Sequence, residues 1–175
     1  LIALKFLQSI RWKNHLTTLA LFIAVMVGVN AWQTRNMPSG KAPEFSTSLS
    51  NGETISLRQW RAQHPNQAVA LHFWADWCPI CKTEEHSISR INRDWPVLTI
   101  AMQSGDAAKV RSVLSKRQLN WLTAIDTSGQ ITKWYGFGGV PAFVVIDANG
   151  NIASATMGYT TEIGMRLRLW WASYF

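Results

Sequence analysis

Outside one C-x-x-C the sequence has no cysteine, its two thiols being Cys78 and Cys81. With no further cysteine, no separate structural disulfide can form, and a redox pair or half of a metal site remain as readings. Acids are also scarce, 10 against 17 Lys and Arg, and the deficit is local. Lys5, Arg11, Lys13 and Arg35 precede residue 40 with no acid among them, which leaves 13 basic (17 − 4) and 10 acidic residues from Lys41 onward, a balance of +3. No basic stripe is interleaved with aromatics, so the excess charge does not mark a nucleic-acid surface. Zinc would need about four ligands. His15, His64, His72 and His86 form no second ligand cluster beside the cysteines, so no metal site is expected. Repeats and low-complexity tracts are lacking too.

What is present begins with an uncharged run of 17 residues, Leu16–Trp32. At about 1.5 Å per residue it lies near the lower limit for crossing a bilayer core. Arg11 and Lys13 stand close before it, which favours a cytoplasmic N-terminus over 1–15 and an exported remainder. A cleaved signal peptide is the competing reading, because Val29-Asn30-Ala31 offers acceptable small residues. The length of the run favours a retained single-pass anchor over 16–32. Residues 33–43, ending in NMPSGKAP, read as a linker rich in turn formers. A folded domain is expected over 44–175.

Within that domain, Phe45–Leu49 and Thr54–Leu57 flank Ser50-Asn51-Gly52-Glu53, a hairpin signal. Ala68–Trp74 is a mostly apolar run suited to a strand covered on both faces. A helix should follow over Pro79–Asn92. Strands are expected at Val97–Met102, Leu122–Asp126, Ala142–Ile146 and Ile152–Met157, and helices at Asp106–Gln118, Gln130–Tyr135 and Thr161–Ala172. The last of these sets Ile163, Leu167 and Trp170 on one side. Helix-linked parallel strands followed by an antiparallel hairpin imply an α/β mixed central sheet with helices on both faces.

Trp77-Cys78-Pro79-Ile80-Cys81 falls where the first long strand gives way to a helix. Helix N-termini offer free N–H groups and a positive partial charge, and both stabilise a thiolate at Cys78. Pro79 suits the first helical turn, where its missing N–H costs nothing. Cys81, one turn deeper, can attack a mixed disulfide at Cys78 and release the partner. The pattern therefore points to a nucleophile and a resolving thiol. It needs no cofactor beyond the Cys78–Cys81 disulfide itself.

FWADWCPIC, followed about sixty residues later by Gly139-Val140-Pro141-Ala142-Phe143, resembles the thioredoxin superfamily. The resemblance implies a cis Pro141 facing the cysteine pair, with the adjoining backbone at Val140 pairing with substrate peptide. Trp77 completes that expected substrate-binding surface, and Trp74 is expected as packing. The linker, the WCPIC centre and the ending GMRLRLWWA are similar to the membrane-anchored suppressor-of-copper-sensitivity group (ScsD type), close to the TlpA and cytochrome-c-maturation thioredoxins. That likeness implies a periplasmic protein disulfide oxidoreductase of the bacterial inner membrane, linked to copper stress. Its expected partners are protein thiols or disulfides and a transmembrane electron donor or acceptor.

Two residues are candidates for proton transfer. Glu84 lies three residues after Cys81 on nearly the same helix face, in line with Ile80, Ile88, Ile91 and Trp95. A carboxylate there would be partly desolvated and able to exchange a proton with Cys81; TlpA-like relatives also place an acid at this offset. The alternative is a side chain reaching water. His72, six residues before Cys78, stands where thioredoxin has a buried aspartate. It is either a proton shuttle or a satisfied core histidine. Two other functions remain open. Reduction of apocytochrome c ranks lower because GVPAF departs from the GAPE-type segment of that branch. A non-enzymatic Cu(I)-binding module would use the soft thiolates. A peroxidase is disfavoured, since no Thr-x-x-Cys pattern precedes the helix.

Overall fold

The computed structural model describes residues 15–29 and 39–174. The chain divides into two compact units, 1–35 and 36–175. Of the first unit, residues 15–29 form a helix, α1, whose side chains are all exposed. Among the described residues no helix is long and apolar enough to cross a membrane. The described helix covers residues 16–29 of the expected span 16–32. Residues 1–14, the end of the expected span at 30–32 and the linker up to 38 lie outside the described residues.

The second unit opens with a two-stranded antiparallel hairpin, β1 (Ser46–Ser48) and β2 (Thr54–Ser56), in the register Thr47↔Ile55. Ser56 then caps a short helix, α2 (Leu57–Ala62), which the sequence reading missed. The chain continues as β3 (Val69–Trp74), α3 (Pro79–Asp94), β4 (Val97–Met102), α4 (Ala107–Lys116), β5 (Thr123–Asp126), α5 (Gln130–Trp134), β6 (Ala142–Ile146), β7 (Ile152–Met157) and α6 (Glu162–Tyr174). The five-stranded sheet has the order β5-β4-β3-β6-β7. Strands β3, β4 and β5 are parallel, and β6 and β7 run antiparallel to their neighbours.

All six residues of β3, the central strand, are buried, as a strand covered on both faces requires. Its alternation divides the core. On one face Ala70 and Trp74 join Ile88 and Ile91 of α3, Val110 and Leu114 of α4, and Met165, Leu169 and Ala172 of α6. On the other, Val69, Leu71 and Phe73 meet Phe45, Ile55, Leu57, Trp60, Ile131 and Tyr135 from the hairpin, α2 and α5.

One domain boundary and one helix face differ from expectation. The linker was expected to end at Pro43, yet Ala42 N–H donates to Gly150 O at 2.9 Å and Tyr135 Oη donates to Pro43 O at 2.8 Å. These bonds satisfy backbone groups that would otherwise be stranded beside the core. In α6, Ile163, Leu167 and Trp170 share a face, but it is the exposed one.

Candidate active site

The central strand β3 ends at Trp74, and the turn Ala75-Asp76-Trp77 delivers the chain to Cys78, the N-cap of α3. Pro79 occupies the first turn, as its fixed φ favours. Cys78 and Cys81 are joined in a disulfide with Cα atoms 5.3 Å apart. Cys78 Sγ accepts the Cys81 N–H at 3.1 Å. A sulfur in that position is already solvated by a helix-terminal donor, which is what a leaving or attacking thiolate needs.

The turn before the nucleophile is held by α4 and the loop that precedes it. Asp76 N–H donates to Ser104 Oγ (3.0 Å), Arg117 donates to Asp76 O (2.9 Å), and Lys109 Nζ lies 3.0 Å from Asp76 Oδ2. Trp77 Nε1 donates to Gln103 O at 3.2 Å while the residue stays more than half exposed. Sequence reasoning named none of these supports. They come from residues 26 to 41 positions away, and only the β3–β4–α4 crossover brings them together.

The Val140–Pro141 peptide is cis, as the resemblance implied. Val140 O lies 3.7 Å from Cys78 Sγ. Pro141 O accepts the Gly158 N–H at 2.8 Å, so the proline loop is braced by the turn leading from β7 into α6. Trp74 is fully packed, edge-on to Trp121 at 5.7 Å.

The two proton-transfer candidates, which the sequence offered separately, face each other. His72 Nε2 lies 3.4 Å from Glu84 Oε2, with both side chains buried. The other carboxylate oxygen, Oε1, accepts the Thr160 N–H at 2.6 Å. Glu84 thus does not reach water, and it shares the buried face of α3 with Cys81, Ile88 and Ile91. His72 has no partner for Nδ1, so it is not a fully satisfied core histidine. Thr160 is a site residue with no sequence signal, because it contributes only backbone N–H across 76 positions. Ile80 is half exposed rather than inward, unlike Ile88 and Ile91. Helical side chains tilt toward the N-terminus, so in the first turn Ile80 points past the helix end.

A thiol pair that caps a helix opposite a cis-proline, on this mixed sheet, is the working arrangement of thioredoxin-fold thiol–disulfide oxidoreductases, and this chain is one of them. The AhpC/TSA family model matches residues 38–155, and the chain belongs to that family. It is 26% identical over 164 residues to a thioredoxin-like protein of Haemophilus influenzae, covering 93% of this chain and 95% of that one. It is 25% identical to the thiol-disulfide oxidoreductase ResA of Bacillus thuringiensis subsp. konkukian, over 86% of this chain and 92% of that protein. Among solved structures it is similar to a secreted Mycobacterium tuberculosis disulfide oxidoreductase homologous to Escherichia coli DsbE, with a TM-score of 0.59, 25% identity and coverage of 71% and 93%. A thiol:disulfide interchange protein of Chlorobium tepidum shares the fold with a TM-score of 0.64 at 21% identity, over 78% of this chain and 97% of that one.

Proposed function

We propose that the protein is a membrane-anchored oxidoreductase that exchanges disulfides with protein thiols on the periplasmic face of a bacterial inner membrane. The observation that carries the reading is the Cys78–Cys81 disulfide at a helix N-terminus beside Val140 O, edged by exposed Trp77 and Ile80. An open apolar rim of this kind suits a peptide chain rather than a small molecule. Val140 and Pro141 offer backbone to a substrate strand, and Trp77 offers a flat face.

In the reducing direction, the Cys78 thiolate attacks a substrate disulfide. One S–S bond forms and one breaks, and the first substrate sulfur leaves as thiolate. Cys81 then gives its proton to Glu84 and attacks Cys78 Sγ. This closes the Cys78–Cys81 disulfide and expels the second substrate sulfur, so two electrons pass to the substrate. The oxidising direction runs through the same mixed disulfide. Glu84 is the base in this account, and His72 holds it: a carboxylate fixed by Thr160 N–H and the imidazole stands one helical turn from Cys81.

The anchor is supported by the uncharged run Leu16–Trp32 behind Arg11 and Lys13. It would put the domain within reach of a transmembrane electron donor or acceptor. The likeness to the suppressor-of-copper-sensitivity group supplies copper stress as the setting. Replacing Cys81 by Ser in cells tests the function. Disulfide-linked adducts through Cys78 to exported proteins are expected. Adducts formed equally well by Cys78→Ser would reverse the assigned roles, and a periplasmic reporter fused at Phe175 that stays inactive would overturn the topology.

A further inference from the structure

Helix α6 is apolar on two opposite sides. Met165, Leu169 and Ala172 enter the core, while Ile163, Leu167, Trp170, Trp171 and Tyr174 stand 49–71% exposed. At 3.6 residues per turn these five fall within about 100° of the helix circumference. Arg166 borders the stripe on one side and Arg168 on the other. Arg166 is engaged by Asp94 and Glu162, whereas Arg168 donates to Gly164 O and has no carboxylate partner among the described residues. After Glu162, no acid occurs to the end of the chain.

We propose that the outer face of α6 lies on the surface of the lipid bilayer, with the Trp and Tyr rings at headgroup level and Arg168 toward anionic phosphates. Three observations select this occupant. The stripe is two Trp and one Tyr with Ile and Leu, flanked by arginine, which is the composition of helices that lie in a membrane interface. Asp94 and Glu162 balance Arg166 at one border, which leaves Arg168 at the other as a cation with no carboxylate partner among the described residues, complementary to anionic lipid. And the face is small: a 12-residue helix side is about 18 Å long and about 10 Å wide, far short of the roughly 800 Å² per partner of a stable protein interface. A weak surface suffices, however, if a tether keeps it close. The six residues 33–38 span at most about 21 Å, so a domain anchored through Leu16–Trp32 stays close to the bilayer surface. This last point rests on the anchor proposed above; the chemistry of the stripe does not.

The test uses the full chain in vesicles of phosphatidylcholine with phosphatidylglycerol, carrying a protease site inserted at residue 37. Flotation before cleavage reports the anchor. Flotation of the released domain after cleavage reports α6. At low ionic strength the released domain should stay with anionic vesicles, less with pure phosphatidylcholine. Leu167→Glu combined with Trp171→Ser should lower its partition about tenfold or more, because apolar side chains leave the interface. Arg168→Gln should reduce retention on anionic vesicles alone. Disulfide reductase activity in solution should be unchanged in both variants, since neither touches the cysteine site. A released domain that stays in solution as a monomer would overturn the proposal. So would one that stays in solution as a dimer, which would make the stripe a contact between copies. An uncleaved chain extracted by alkaline carbonate would contradict the anchor while leaving the flotation of the cleaved domain to decide α6.

Discussion

The two faces of β3 are built from one strand and do different work. Leu71 and Phe73 point into a layer of apolar side chains whose polar members are bonded: Tyr135 donates to Pro43 O, its ionisation pushed up by burial, and the Asp126 carboxylate accepts from Ile131 N–H and from Thr132. His72 and Trp74 point the other way, into a layer that also holds Cys81 and Glu84. That layer carries Nδ1 of His72 and Nε1 of Trp74 with no bonding partner. Buried polar atoms are normally satisfied, and those that are not mark places where the fold gives up stability for chemistry. The period of two along the strand keeps that cost away from the face that holds the sheet together.

Substitutions on the two faces should separate cleanly. Cys78→Ser should abolish exchange, measured as insulin reduction, while the melting temperature of the reduced protein stays near that of the reduced wild type. Phe73→Ala should do the reverse. It empties a fully buried site between Tyr135 and Phe137, at ring distances of 5.3 and 5.2 Å. A cost of about 3–5 kcal/mol is expected in denaturant unfolding, with reactivity of Cys78 retained in the folded fraction. If Phe73→Ala altered the rate of mixed-disulfide resolution as much as a substitution at Glu84, the division between faces would fail.

His72→Gln probes the boundary. It keeps a hydrogen-bonding group near Glu84 Oε2 but removes the imidazole, and should slow the resolving step less than loss of the carboxylate does. The alkylation rate of Cys78, read by a fluorescent maleimide, should not move. The smallest effect is expected on the solvent side of the same layer. Glu162 bonds to Arg90 and Arg166, and these bonds hold its carboxyl below the usual carboxylate range. Its contribution is therefore fully present above the ordinary value of about 4.3 and is lost only as pH falls through the lower folded value. Glu162→Gln should lower stability slightly at neutral pH, leave it unchanged once pH has fallen below the lower folded value, and so flatten the acid limb of the stability curve.

Much of this layout was legible beforehand. Val97–Met102, Ala142–Ile146 and Ile152–Met157 are strands over those very residues, because continuous apolar runs bounded by turn formers leave few alternatives. The cysteine pair and Pro141 were legible from their motif. Helix α2 was missed although Ser56 and Gln59 form a capping box, a signal present in the sequence. The orientation of α6 was not readable. Both of its sides are apolar, and periodicity locates a face without telling whether protein or something else covers it. The meeting of His72 with Glu84 was equally hidden. Each was visible alone, but the contact depends on α3 crossing β3, and Thr160 joins them through a backbone group that any residue but proline would supply.

In the proposed mechanism Glu84 accepts the Cys81 proton, and the decay of a preformed mixed disulfide at Cys78 measures that step directly. A single-turnover experiment would follow release of a fluorescent peptide thiol from pH 5 to 9 in the wild type and in Glu84→Gln. General-base assistance is worth about 10²–10⁴-fold where it operates. Release from Glu84→Gln near neutral pH is therefore expected to slow by at least about 100-fold, with the rate recovering at alkaline pH as Cys81 ionises unaided. Equal rates and superimposable pH profiles in the two proteins would contradict the assignment and leave Glu84 as a buried brace for the Thr160 turn.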